Sequence, residues 1–258
     1  MRNLHHDLMA AIESNKPHIV KTLLADGADP SIGIIPVKYR NTDPELPLNV
    51  AAFKGFSEIV DILLASNKVD IQAKCRIANF MATPFQAALL DDKADISTIQ
   101  KLISAPTDIN YPIFCRNGRF TTPLHEAATR SYERTKYLLD NNANVNALDY
   151  ERNTPLHKIC DLSLLPHKEE YAVAMLLLEH GAAYGQPNGR NYTAIQKCAA
   201  SNSNKSAFAK AIIDFAGLSV LDVKDRCDND VIDLAHSHRH RDTLYVFARA
   251  QAEALRGK

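Results

Sequence analysis

Much is missing from this sequence of 258 residues, and each gap closes a possibility. Neither charge is in surplus. The 30 Lys and Arg balance the 30 Asp and Glu, so no global field favours nucleic acid or an anionic membrane. No apolar run approaches the ~20 residues of a membrane span. Met1-Arg2-Asn3-Leu4-His5-His6-Asp7 lacks the apolar core of a signal peptide. The five cysteines, Cys75, Cys115, Cys160, Cys198 and Cys227, are odd in number and form no C-x-x-C pair. That pattern fits reduced thiols in a reducing compartment and argues against a disulfide framework. The motifs G-x-x-x-x-G-K-S/T, G-x-G-x-x-G, H-E-x-x-H and G-x-S-x-G are absent. There is no tryptophan. What remains, 46% hydrophobic and 23% charged, is the make-up of an ordinary folded soluble protein.

What is present is a repeat. Thr122-Pro123-Leu124-His125 returns 32 residues later as Thr154-Pro155-Leu156-His157. A period of this size describes a stack of like units, not a catalytic pocket. The tetrapeptide reads as a helix start. Thr122 can cap free N–H groups of the first turn. Pro123 at the first helical position loses no hydrogen bond. Leu124 begins the buried stripe, and small Ala127 and Ala128 let a neighbour approach. A second helix, roughly Arg134 to Asn141, turns Leu138 and Leu139 inward. Asn142 stands where a left-handed residue ends it.

Used as a template, this unit finds others. Positions equivalent to Pro123 fall at 7, 47, 84, 155, 194 and 231, giving spacings of 40, 37, 39, 32, 39 and 37. Seven helix pairs follow, spanning roughly 4–30, 46–70, 83–110, 122–146, 154–183, 193–219 and 230–256. The outer pairs are degenerate.

Thr122-Pro123-Leu124-His125-Glu126-Ala127-Ala128, Leu138-Leu139 and Asn144-Val145-Asn146 resemble the ankyrin-repeat consensus, as does Leu23-Leu24-Ala25-Asp26-Gly27-Ala28-Asp29-Pro30. The resemblance covers essentially the whole chain, strongly in the fourth and fifth units and weakly at both ends. It implies one all-α solenoid domain, 1–258, of about seven helix-turn-helix units joined by hairpin-like fingers. The spacings depart from the family's usual period of about 33 residues, and the extra residues fall mainly in the fingers. Irregular spacing and many Asn and Lys residues look similar to ankyrin proteins that intracellular bacteria deliver into host cells.

Residues that suggest chemistry have plainer readings. The resemblance implies that His125 and His157 are structural, hydrogen-bonded within and between repeats. His236-Ser237-His238-Arg239-His240 looks like a metal tract, but no Cys or carboxylate clearly completes it. Cys160 lies three residues from His157, yet the register places its thiol, like that of Cys198, in the inter-helix core as a small hydrophobe. Accordingly no catalytic, metal or cofactor residue is assigned.

The fingers carry the functional expectation. In the family they project, with the inner helices, as the concave binding face. Here they hold Lys38, Tyr39 and Arg40; Lys74, Arg76 and Phe80; Tyr111, Phe114, Arg116, Arg119 and Phe120; Tyr150 and Arg152; and Arg190 and Tyr192. Tyr, Phe, Met and Arg are enriched at interfaces. The alternative for the aromatics is that Phe80, Phe114 and Phe120 merely pack finger on finger. Asn117-Gly118 is a tight-hairpin signal. The second finger has Lys74 and Arg76 and no acid, whereas Asp222 to Asp230 is acidic.

The expected function is protein–protein recognition by a non-enzymatic monomer, through partner-binding finger residues, with an acidic partner segment on the N-terminal half. The expected compartment is the cytoplasm, or a host cytosol reached without a signal peptide. Two other classes stay open. One is an enzyme, or the targeting domain of a longer enzyme, because Asp242 to Arg256 ends without a clear stop. The other is nucleic-acid binding, against which zero net charge argues. The insertion Asp161 to Glu170 lengthens a turn expected on the edge opposite the fingers, and its default reading is a neutral loop.

Overall fold

The structure, a computed structural model, describes residues 3–35, 44–103, 107–115, 117–161, 164–201, 203–238 and 241–256. Two compact units divide the chain, Met1–Pro123 and Leu124–Lys258.

In the first unit α1 (Leu4–Glu13), α3 (Pro47–Phe53) and α5 (Pro84–Leu89) form an inner row. The helices α2 (Pro17–Ala25), α4 (Ser57–Ala65) and α6 (Ile96–Leu102) form an outer one. Leu8, Ile12, Leu48, Ile59, Leu63, Phe85, Ile99 and Leu102 fill the space between the rows. Fully buried Ala51, Ala52, Ala87 and Ala88 lie on the inner helices, so small side chains stand where these helices meet. The helix α1 starts one turn ahead of its template position, with Asn3 as its cap.

The second unit repeats the plan. Its inner helices are α7 (Pro123–Ala128, which straddles the division), α9 (Pro155–Lys158), α11 (Ala194–Ala199) and α13 (Val231–Ser237). Its outer helices are α8 (Tyr132–Asp140), α10 (His167–Glu179), α12 (Ser206–Ala216) and α14 (Arg241–Arg256), with a 3₁₀ turn at Leu218–Asp222. Leu138, Leu156, Leu177, Ile195, Phe208, Ile212 and Phe247 are buried. Asn142 closes α8 with φ 64°, and the Ala143 N–H reaches back to the Leu138 carbonyl at 2.9 Å. That left-handed stop is the one expected of Asn. No helix among the described residues is long and apolar enough to cross a membrane.

The all-α expectation needs one correction. The second and third fingers are true hairpins, β1 (Cys75–Ile77) with β2 (Phe80–Ala82) and β3 (Ile113–Cys115) with β4 (Phe120–Thr121). They join into one antiparallel sheet in the order β1-β2-β3-β4. Asn117-Gly118 makes the predicted tight turn: Gly118 has φ 78°, its N–H meets the Cys115 carbonyl at 3.1 Å, and the Cys115 N–H meets the Arg119 carbonyl at 2.7 Å. Longer fingers have enough backbone to pair with each other, and an unpaired strand edge would leave its polar groups unsatisfied.

Candidate functional site

Among the described residues the inner helices α5, α9, α11 and α13 open on a side-chain bracket. Thr83, Thr154 and Thr193 each accept from the backbone N–H three residues on, and the side chain at that third position accepts the threonine N–H in return. This reciprocal cap satisfies two orphan donors at once. The same third residue then reaches the following finger. Asn49 Nδ2 donates to the Ala82 carbonyl at 2.8 Å, and Gln86 Nε2 to Tyr111 at 2.8 Å. Gln196 Nε2 donates to Val223 at 3.1 Å. His125 Nε2 lies 2.9 Å from the Asn153 carbonyl, and His157 Nε2 lies 3.0 Å from that of Tyr192. His157 Nδ1 faces the Thr154 N–H at 3.3 Å, so Nε2 carries the proton and donates. Burial holds both imidazoles neutral, at a pKa of about 4. The two histidines are therefore consumed in holding fingers, as the resemblance implied.

The later fingers are short turns with one design. Asp149 Oδ1 accepts from the N–H groups of Glu151 and Asn153 at 2.9 and 2.8 Å. Asn188 Oδ1 does so for Arg190 and Tyr192 at 3.0 Å each. Asp225 Oδ1 does so for Cys227 and Asn229 at 2.8 and 2.9 Å. In each turn the fourth residue is left-handed: Arg152 at φ 59°, Asn191 at 66° and Asp228 at 64°. Asx side chains imitate a backbone turn in this way. Successive fingers also bond to each other. The Gly189 N–H donates to the Glu151 carbonyl at 2.9 Å, and Asn188 Nδ2 to Asn153 Oδ1 at 2.8 Å. A Cβ on Gly189 would sit 2.6 Å from that carbonyl oxygen, so glycine is required by close approach.

Within the first unit the sheet sorts the expected partner-binding residues. Cross-strand register places Arg76 opposite Met81, Met81 opposite Phe114 and Phe114 opposite Phe120. These four form one row across the less buried face, with Phe114 exposed and the other three half-buried. Phe114 and Phe120 have ring centroids 6.0 Å apart, Tyr111 is edge-on to Phe114 at 6.3 Å, and the Lys74 ammonium lies 3.6 Å over the Tyr111 ring. Phe80 is separated from them: it pairs with Ile77 and Cys115 and so points to the opposite face. Arg119 is exposed in the third finger's turn. Lys38, Tyr39, Arg40 and Arg116 lie outside the described residues.

In the second unit Tyr150 and Arg152 are exposed on the fourth finger. Arg190 and Tyr192 line a cavity of about 390 Å³ between the fourth and fifth fingers and the ends of α9 and α11. Its other walls include Glu151, Asp161, Lys197 and Ser201. Lys197 Nζ lies 2.8 Å from Asp161 Oδ1 and 2.9 Å from Asn153 Oδ1. Two sequence expectations change here. The insertion is not confined to the far edge, because Asp161, its first residue, walls this cavity. Arg190 also has a structural partner, since Glu151 lies 3.8 Å from its guanidinium. Sequence reading passed over Glu151, Asp161 and Lys197. Aligning Asp149-x-x-x-Asn153 with Asn188-x-x-x-Tyr192 would have put Glu151 and Arg190 one finger apart.

The other chemical candidates are placed in the structure. Cys160 Sγ faces the Ala194 carbonyl at 3.5 Å and Cys198 Sγ that of Lys205 at 3.6 Å. Both cysteines are buried, and burial raises the Cys198 pKa well above the ordinary thiol value. Neither is an activated nucleophile. His238 Nδ1 lies 2.9 Å from the Leu234 carbonyl at the end of α13, while Arg239 and His240 fall outside the described residues. Among the described residues no three His, Cys, Asp or Glu side chains converge as a metal site.

Paired inner and outer helices, with side-chain bonds from five of the inner helices to the next finger, define a helical-repeat protein built for stacking. Comparison with known proteins names the repeat. Residues 85–188 match the family model for ankyrin repeats (3 copies). The crystal structure of the human ASB11 ankyrin repeat domain is similar at a TM-score of 0.69, covering 96% of this chain and 98% of that one at 19% identity. No curated protein sequence matches significantly. Residues 85–188 carry ankyrin repeats, and the chain has the ankyrin-repeat fold. Ankyrin repeats are generally protein–protein interaction modules, and fold by itself assigns no partner.

Proposed function

We propose that the chain is a non-catalytic recognition module of seven ankyrin units, which docks a partner protein along its fingers and inner helices. The observation that carries this reading is the cross-strand row Arg76-Met81-Phe114-Phe120, in which Phe114 is exposed and the others are half-buried, flanked by exposed Lys74 on exposed Tyr111. Aromatic, Met and Arg side chains held part-buried on paired strands form a preorganised patch, and little ordering entropy is lost when a partner meets it. By sequence the fingers bearing the row hold Lys74, Arg76, Arg116 and Arg119 against Asp108, which favours an acidic partner segment. The resemblance to delivered ankyrin proteins extends the reading to a host protein as partner.

Affinity capture from a cytosolic lysate tests it, comparing the wild type with Lys74→Glu/Arg119→Glu and with Phe114→Ala/Phe120→Ala. The expected result is a captured protein lost from both variants at unchanged thermal stability. Identical captured sets from all three would sink the reading.

A further inference from the structure

The cavity of the second unit is built from charges of both signs, and their bonding decides what it can accept. Lys197 is consumed: only 14% of its side chain is exposed, and it sits on Asp161 at 2.8 Å. Asp161 also has Lys158 at 3.7 Å, so that carboxylate is neutralised twice. Arg190 is 76% exposed and reaches Glu151 only at 3.8 Å. Glu151 remains as the under-coordinated charge. Among the described residues its carboxylate contacts are long: Asn153 Nδ2 at 3.3 Å, the Tyr150 hydroxyl at 3.5 Å and Arg190. A carboxylate held in place without a short charge-assisted bond is a ready acceptor for a guanidinium, which it can bind in bidentate fashion. Tyr192 adds an aromatic wall to the same cavity, and aromatic faces attract cations. An anion would find the opposite. Among the described residues lining the cavity the one loosely held cation is Arg190, and the carboxylates of Glu151 and Asp161 line the same walls.

We propose that this cavity takes an arginine side chain of the partner, which displaces Arg190 from Glu151. The assignment rests on the docking reading above and names the chemistry of one contact within it. Its volume of about 390 Å³ suits one long side chain, and small-ligand sites begin near 300 Å³. Arg190 acts as a tethered competitor that swings to solvent when the guest enters.

The probe is N-acetyl-arginine methylamide, titrated into the ¹⁵N-labelled full chain and followed by amide shifts. The lysine, citrulline and glutamate analogues serve as comparisons. Saturable shifts are expected at Glu151, Gly189 and Lys197, with a Kd on the order of millimolar for a single side chain. Citrulline, which keeps the shape and loses the charge, should bind at least about tenfold more weakly. Glu151→Gln should weaken the arginine probe by a similar factor at unchanged Tm. Arg190→Ala should tighten it several-fold by removing the competitor. The proposal is overturned if the arginine probe leaves these amides unmoved, if citrulline or glutamate binds equally well there, or if Arg190→Ala weakens binding. Failure of the probe while the sheet variants still lose their partner would remove the cavity assignment and leave the docking reading standing.

Discussion

Acid should unfold this protein through two particular residues, and the repeat itself supplies the control. His125 and His157 are buried, neutral and pushed from an ordinary value near 6.5 to about 4. Burial is the largest cause in both. As pH falls through 6.5 the unfolded chain takes up two protons that the folded chain refuses until about pH 4. Stability is therefore complete above 6.5 and is lost progressively down to 4, where the folded imidazoles begin to titrate as well. Linkage from pH 7 to pH 5 gives a loss of about 2 kcal/mol per histidine, or about 4 for the pair. That is a large share of a typical folding free energy. The control is glutamine, which stands at the same position in other repeats: Gln86 and Gln196 make the corresponding finger bond at 2.8 and 3.1 Å. The double variant His125→Gln/His157→Gln should keep its stability at pH 7 within about 1 kcal/mol and lose the acid slope. Urea denaturation followed by far-ultraviolet circular dichroism at pH 7, 6 and 5 measures both. Equal loss in wild type and variant between pH 7 and 5 would refute the argument.

Two further predictions concern packing. Gly189→Ala places a Cβ 2.6 Å from the Glu151 carbonyl oxygen and should cost about 1–3 kcal/mol, whereas Gly185→Ala, with nothing within 4 Å, should be near neutral; thermal melts of the pair decide. Glu170 and Lys205 form an ion pair at 3.1 Å with each side chain only 3% exposed, and burial raises the Glu170 pKa despite the lysine. Lys205→Met should cost about 3–5 kcal/mol by stranding a buried carboxylate, and Glu170→Leu/Lys205→Met should recover most of that, as read by chemical denaturation.

Much of the fold was legible because its determinants are local. Thr-Pro at a helix start, paired alanines and Asn142 as a left-handed stop each act within a few residues, so the template found them. The cap of α1 was not legible, because Asn3 supplies it without the Thr-Pro signal. Pairing of the second and third fingers into one sheet was not legible, since it depends on register between segments some 35 residues apart. That register is also what placed Phe80 away from Phe114 and Phe120. The cavity was hidden for the same reason. Glu151, Asp161 and Lys197 carry no motif, and only stacking of neighbouring repeats brings them together. The Glu170–Lys205 pair was equally invisible, because charged residues at those positions read as surface.

The bonds from Asn49, Gln86, His125, His157 and Gln196 all end on backbone carbonyls. A main-chain acceptor is indifferent to the side chain it belongs to. These five bonds thus anchor the fingers through atoms that no substitution removes, and only the side chains that build the turns, Asp149, Asn153, Asn188 and Asp225 among them, share the duty of holding a finger in place. A lineage can therefore rewrite the remaining side chains of a finger, residue by residue, without first finding a new way to tie that finger to the helix before it.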